Sequence, residues 1–184
     1  MGFHRVNSDQ IKARFGNYHI QVLSQDDASR LASLYSDHKG SKVCRTLALT
    51  RFHRPVASAL AEAHALIREG RSIGVTLTQS GFQVSREVYA EMVARAGDRF
   101  ENLCAGTVSA GALIHLRLYR LSAGLTEGEL YPYAIIAEAH HPDLIPPRSD
   151  LPLVSSIELE TSESPADEAL RSLLTALNWA PIKG

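Results

Sequence analysis

Glu138 sits inside an apolar run, "AIIAEAHHPDL" (134–144), where an unpaired carboxylate would cost several kcal/mol or take up a proton. Other charges lie in equally unexpected places. In 42–50, read as a strand, Arg45 alternates with Val43, Leu47 and Leu49, while Cys44, Thr46, Ala48 and Thr50 face the other way. In 82–88, Arg86 shares a side with Phe82, Val84 and Val88, and on a weaker strand Arg30 shares one with Ala32 and Leu34. Guanidinium forks bind planar carboxylates, and a carboxylate accepts from hydroxyl groups or moves protons. Converging, these groups would line a pocket with a cationic and an acidic end, suited to a small anion with a polar far end. The plainer alternative is that they pair with one another, or that a strand is off register and its charge faces water.

The elements that must place them follow from periodicity. "YHIQVL" (18–23) alternates as a strand, and 29–50 reads as a β-hairpin around the turn-rich "DHKGSK". Pro55 opens a helix that carries Val56, Leu60, Ala63 and Ile67 on one face and closes at Gly70. The stretch 71–81 is a short helix capped by Ser72, and 82–94 a long strand whose second half is also compatible with helix. Residues 96–111 read as loop. Strands follow at 112–121, with Leu113, His115, Arg117 and Tyr119 opposite Ile114, Leu116, Leu118 and Leu121, and at 131–139. After a proline-rich connection, Ser164 caps a last helix with Pro165 at its first position and a stripe of Leu170, Leu173, Leu174 and Leu177. The order βββ-α-α-βββ-α predicts an α+β fold, an antiparallel sheet with helices on one face. Residues 1–150 form the expected ligand-binding domain; 151–184 form an extension whose helix, at about 165–178, packs on the same domain.

Bulk properties narrow the function. A chain of 184 residues with 45% hydrophobic and 21% charged content suits one domain with a real core. A formal charge of -1 gives no electrostatic case for direct nucleic-acid binding. No apolar run approaches the roughly 18 residues of a membrane helix, and "MGFHRVNSDQ" lacks a signal-peptide core, so no membrane association is expected. Cys44 and Cys104 stand in no metal-like spacing and are read as reduced thiols of a cytoplasmic protein. Of the 19 basic residues 15 are Arg, a bias that a GC-rich genome explains more simply than anion binding.

Competing chemistries have weaker support. Glu138, His140 and His141 are close in sequence, yet on a strand His141 points away from the other two, and no HExxH or Cys-pair spacing occurs. Cys44 falls on the less apolar face beside no evident base, and no G-x-S-x-G is present. "GRSIG" is neither a phosphate loop nor a dinucleotide fingerprint.

The order of these motifs resembles the chorismate lyase (chorismate pyruvate-lyase) family. Arg30 and the Arg45–Thr46 pair match that family's hairpin, "GRSIG" its Pro/Ser-Leu-Gly turn, and "VSRE" its Thr-Arg-Asp/Glu strand; "AIIAEAHHPDL" is similar to its last strand. The likeness spans roughly residues 18–146. The same fold serves as the effector-sensing domain of some GntR-type regulators. The resemblance implies that Arg30 binds the ring carboxylate and that Ile73 and Gly74 line the pocket. It also implies that Glu138 accepts a hydrogen bond at the hydroxyl or ether end, Arg30 and Glu138 being the catalytic pair. Arg45 and Arg86 match arginines that either contact substrate or brace the pocket. The implied reaction releases pyruvate and a hydroxybenzoate from chorismate and needs no cofactor. The implied partner is a small aromatic or enolpyruvyl carboxylate; a non-catalytic sensor or carrier is the alternative, and homo-oligomers are left open. The chain departs from the family in having only 29 residues before Arg30, and in 97–111 and 151–184, which have no counterpart.

Overall fold

Strands that are apolar on both parities need cover on both sides, and that requirement shapes the architecture. A computed structural model describes residues 7–154 and 163–177. Six strands form one antiparallel sheet: β1 (His19–Gln25), β2 (Ser29–His38), β3 (Ser41–Phe52), β4 (Gln83–Arg95), β5 (Leu113–Gly124) and β6 (Tyr131–His140). Their spatial order is β1-β2-β3-β6-β5-β4, so two three-stranded meanders meet at the β3–β6 seam. The β2–β3 turn places Lys39 at φ 49° and Gly40 at φ 81°, the two left-handed residues that a two-residue hairpin requires.

The helices are α1 (Asn7–Phe15), α2 (Ala61–Arg68), α3 (Ile73–Gln79), α4 (Asp98–Leu103) and α5 (Pro165–Ala176). The expected α+β class and antiparallel sheet are what the chain adopts, with the helices divided between the two faces of the sheet. Leu31, Leu47, Leu49, Ile114, Leu116, Leu118, Ala137 and Ala139 pack with Phe100 of α4 and with Leu170, Leu173, Leu174 and Leu177 of α5 and its C-cap. Phe52, Tyr119, Leu121, Tyr133, Ala134 and Ile136 pack on the other side with Leu60, Ala63, Ile67, Ile73 and Leu77, around α2 and α3. Covering one face alone would have left the second apolar set in water, at about 25 cal/mol per Å².

Several expectations shift in detail. Residues 7–15, given no element from sequence, form α1, and 98–103, read as loop, form α4. The helix expected to open at Pro55 begins later, with a 3-10 turn at Ser58–Leu60 leading into α2, because His53 N still donates to Tyr133 O and holds the chain extended. Ile73–Gln79 is helical and Ser72 does sit at its N-cap, but its side chain makes no capping bond. The second half of 82–94 is strand. Leu121 lies on the Tyr119 side of the sheet, as strict alternation along β5 demands.

At the chain's far end the capping signal is realised as written. Ser164 Oγ accepts from Asp167 N at 3.1 Å and Pro165 occupies the first turn. Residue 178, the expected end of that helix, lies outside the described residues. Leu173 of α5 has no exposed surface. Leu173→Ala should therefore lower unfolding free energy by about 2–5 kcal/mol. A urea titration showing no loss would mean that the extension is not part of this core.

Candidate functional site

Register turns the α2/α3 side of the sheet into a grid. Reading across β2, β3, β6, β5 and β4, one row is Leu34, Thr46, His140, His115 and Val93, and the next is Ala32, Ala48, Glu138, Arg117 and Glu91. The third row is Arg30, Thr50, Ile136, Tyr119 and Val88; in the fourth, Phe52, Ala134 and Leu121 lead to Arg86. Glu138 thus rises from the central strand, while Arg30 reaches in from β2 and Arg86 from the edge strand β4. Strands β2 and β4 lie four spacings apart, about 19 Å, a span that long arginine side chains can narrow.

Between them lies a cavity of about 50 Å³ whose walls include Arg30, Ile73, Gly74, Arg86, Tyr119 and Glu138. Asn7 and Ser8 of α1 close over it, and Thr50 and Ser72 add hydroxyl groups. Five of the six residues singled out from sequence therefore line one cavity. Arg45 is not among its lining residues. The β2–β3 register jumps from Leu34↔Thr46 to Tyr35↔Cys44, which leaves Arg45 as the extra residue of a β-bulge. The jump reverses the alternation beyond it, so that Cys44, expected on the less apolar face, packs in the core with Leu47 and Leu49. Arg45 instead lays its guanidinium on the Phe15 ring at 3.7 Å and donates from Nε to Ser36 Oγ at 2.9 Å.

Glu138 is 3% exposed and has a partner at each oxygen. Oε1 accepts from Asn7 Nδ2 and from the Tyr119 hydroxyl, both at 2.7 Å. Oε2 lies 3.2 Å from His140 Nε2, within ion-pair reach, although the ring points too far off line for a straight hydrogen bond. Burial alone would raise this carboxyl, but His140, Tyr119 and Asn7 together outweigh it and hold it at about 2. Tyr119 is pushed well above its ordinary value by burial and by the Glu138 charge, so it serves as a neutral donor.

The cationic flanks are less fully satisfied. Arg30, 3% exposed, donates from Nη1 to Ile67 O at 3.2 Å and Arg71 O at 2.7 Å, carbonyls at and just beyond the end of α2. Its Nε is buried without a partner, and so is Nε of Arg86, whose guanidinium lies 5.5 Å from the Tyr119 ring centroid. Buried donors left unpaired in this way are uncommon and mark a place where a ligand or ordered water is expected. A second cavity, about 740 Å³, lies beside Arg51, Arg54, Tyr89 and Arg120. Among the described residues no buried unpaired polar atom belongs to its walls.

Farther along the same face, His115 Nε2 is 3.2 Å from Glu91 Oε1, and Arg117 donates to the same oxygen from Nε and Nη2. Burial, with the neighbouring His140 next, lowers His115 to about 4. His141 turns away from Glu138, as alternation predicts, toward Arg45 and Thr107; burial and then Arg45 bring it to about 4. Among the described residues no group of three His, Cys, Asp or Glu side chains is arranged to hold a metal ion, and no helix is long and apolar enough to cross a membrane. Asn7, Tyr119 and His140, which complete the Glu138 environment, were not singled out as site residues from sequence. The alternation of 112–121 did carry a signal for Tyr119, a polar-tipped ring on the same parity as two other polar residues.

No family model matches the chain, and no curated protein matches it.

The titrations have a definite sign. Glu138 at about 2 lies below its ordinary 4.5, so its contribution is complete above about pH 4.5 and lost as pH falls through 2. It is on the order of 3 kcal/mol. His115 and His141, near 4 against an ordinary 6.5, contribute stability present above 6.5 and lost as pH falls through 4. Urea midpoints should therefore decline from about pH 6.5 downward and more steeply below about 4.5. A midpoint that stays level to about pH 4 would rule out the buried neutral histidines.

Proposed function

We propose that this domain binds a small aromatic or enolpyruvyl carboxylate in the Arg30–Arg86–Glu138 cavity, and that chorismate cleavage to pyruvate and a hydroxybenzoate is the reaction its groups suit. The observation that carries the reading is the pair of buried guanidinium Nε–H donors without partners on the flanks of a cavity whose floor is a carboxylate. A ligand carboxylate would supply the missing acceptors, and a hydroxyl or ether end would meet Tyr119 and Glu138. Cleavage breaks the ring C–O bond and removes a ring proton, and the released enolpyruvate gains a proton at its methylene carbon. The balance needs no oxidant, and electrostatic positioning by arginines would be the main contribution.

Size sets a condition on this reading. By the measure in which a water needs about 10–15 Å³ and benzene fits an engineered cavity of 150 Å³, the cavity takes only a few waters. Admission of a ring therefore requires wall residues to withdraw. Asn7 and Ser8, at the start of α1, are the natural ones, because the Asn7–Glu138 bond ties that end to the floor.

The second reading, a non-catalytic sensor or carrier of a small aromatic acid, draws on Glu138 itself. A carboxyl held at about 2 is a poor general base near neutral pH, where proton transfer works best with a value close to the working pH. Incubation with chorismate, with pyruvate and hydroxybenzoate release followed against the spontaneous background, separates the two. An excess that disappears in Glu138→Gln supports the lyase. No excess, with thermal stabilisation by hydroxybenzoates, supports the sensor. In either case Arg30→Ala should weaken hydroxybenzoate binding by about 1.5–3 kcal/mol in calorimetry. Unchanged affinity would take Arg30 out of the site.

A further inference from the structure

His140 does not line the cavity, yet it stands directly against the carboxylate on the cavity floor. Its side chain has no exposed surface and stands one row behind Glu138 on the same strand. Thr46 Oγ1 lies 3.2 Å from its Nδ1, and its Nε2 faces Glu138 Oε2 at 3.2 Å. The His115 ring packs beside it at 5.3 Å, inclined by 33°. A threonine hydroxyl that donates to Nδ1 leaves the ring proton on Nε2, the nitrogen nearer the carboxylate, from which a small rotation of the ring would bring it into line with Oε2.

The remaining partners of Glu138 cannot replace this one. Asn7 and Tyr119 are neutral and both occupy Oε1. Arg117, the cross-strand neighbour on β5, spends two of its N–H groups on Glu91. Glu91 on β4 and His115 on β5 face each other, and Arg30 and Arg86 approach from β2 and β4. Oε2 thus depends on the imidazole.

We propose that His140 is the positioning residue of this site: it keeps Glu138 a fixed carboxylate acceptor, so that the cavity selects a ligand presenting a hydrogen-bond donor opposite its own carboxylate. The protonation half stands on the geometry of the pair alone; the ligand half rests on the function proposed above. Without the imidazole, Oε2 loses its nearest donor while burial acts on Glu138 as before, and its affinity for a proton should rise about 10- to 100-fold, the effect of one lost hydrogen bond to a charged group.

Carbon-13 NMR of the full chain, labelled at glutamate side-chain carboxyls, reads this directly. The Glu138 resonance is assigned by its loss in Glu138→Gln. In the native protein it should stay flat from about pH 7.5 to 4, and in His140→Gln it should move through a titration at higher pH than in the native protein. A Glu138 line with the same pH profile in native and folded His140→Gln protein would overturn the proposal. If His140→Gln does not fold, Thr46→Val, which frees Nδ1, should shift the line in the same direction by less; no shift there would likewise sink it.

Calorimetry with 4-hydroxybenzoate on the same proteins separates the two halves. Affinity that follows the Glu138 titration in His140→Gln supports both. Absence of 4-hydroxybenzoate binding with the carbon line shifted would overturn the ligand assignment and keep the positioning role. Binding with an unshifted line would do the reverse.

Discussion

A carboxylate cannot be buried in the middle of a sheet unless donors are brought to it, and much of the arrangement around Glu138 does so. Asn7 arrives from a helix 131 residues away in sequence, Tyr119 from the neighbouring strand, and His140 from two positions along the same strand. Each donor constrains an element: α1 is tied down at its first residue, β5 must sit beside β6, and the side chains of β6 must alternate without interruption. A one-residue slip at the β5–β6 pair would point Tyr119 into the opposite core and leave the carboxylate short of a donor.

The arginines impose the complementary constraint. Arg30 is anchored through Nη1 to carbonyls at the end of α2 and at Arg71, so the crossover between the two meanders is fastened to β2 next to the cavity. That crossover also delivers Ile73 and Gly74 to the wall. Arg86 extends over Tyr119 from the opposite flank. Cavity and fold are thus held by the same contacts, with Nε of each arginine left over. Arg45 belongs to a different assembly at the end of the sheet, where Phe15, Ser36 and His141 surround it.

The two sides of the sheet divide the labour. The side covered by α4 and α5 is almost wholly apolar where it meets the strands and supplies cohesion. The side covered by α1, α2 and α3 mixes apolar packing with a polar strip running from Thr46 through His140 and His115 to Glu91. Polar groups of this kind are tolerated where their partners are in place, and they lower cohesion in exchange for specific geometry.

Much of this was legible in the chain. Alternation and apolar runs located the six strands to within a few residues, with the second half of 82–94 left open to helix, and put Arg30, Arg86 and Glu138 on apolar faces, because strand parity is a local property. The Ser164–Pro165 signal located α5 for the same reason. What local patterns could not express was decided by pairing. The bulge at Arg45 exists only relative to β2, and it overturns a parity argument that holds for an isolated strand. The meeting of Asn7, Tyr119 and His140 at Glu138 depends on β6 lying between β3 and β5 and on α1 folding back across them. Residue types and their alternation determined which charges would be buried; only the tertiary structure determined their partners, because those partners are joined across the sheet and not along the chain.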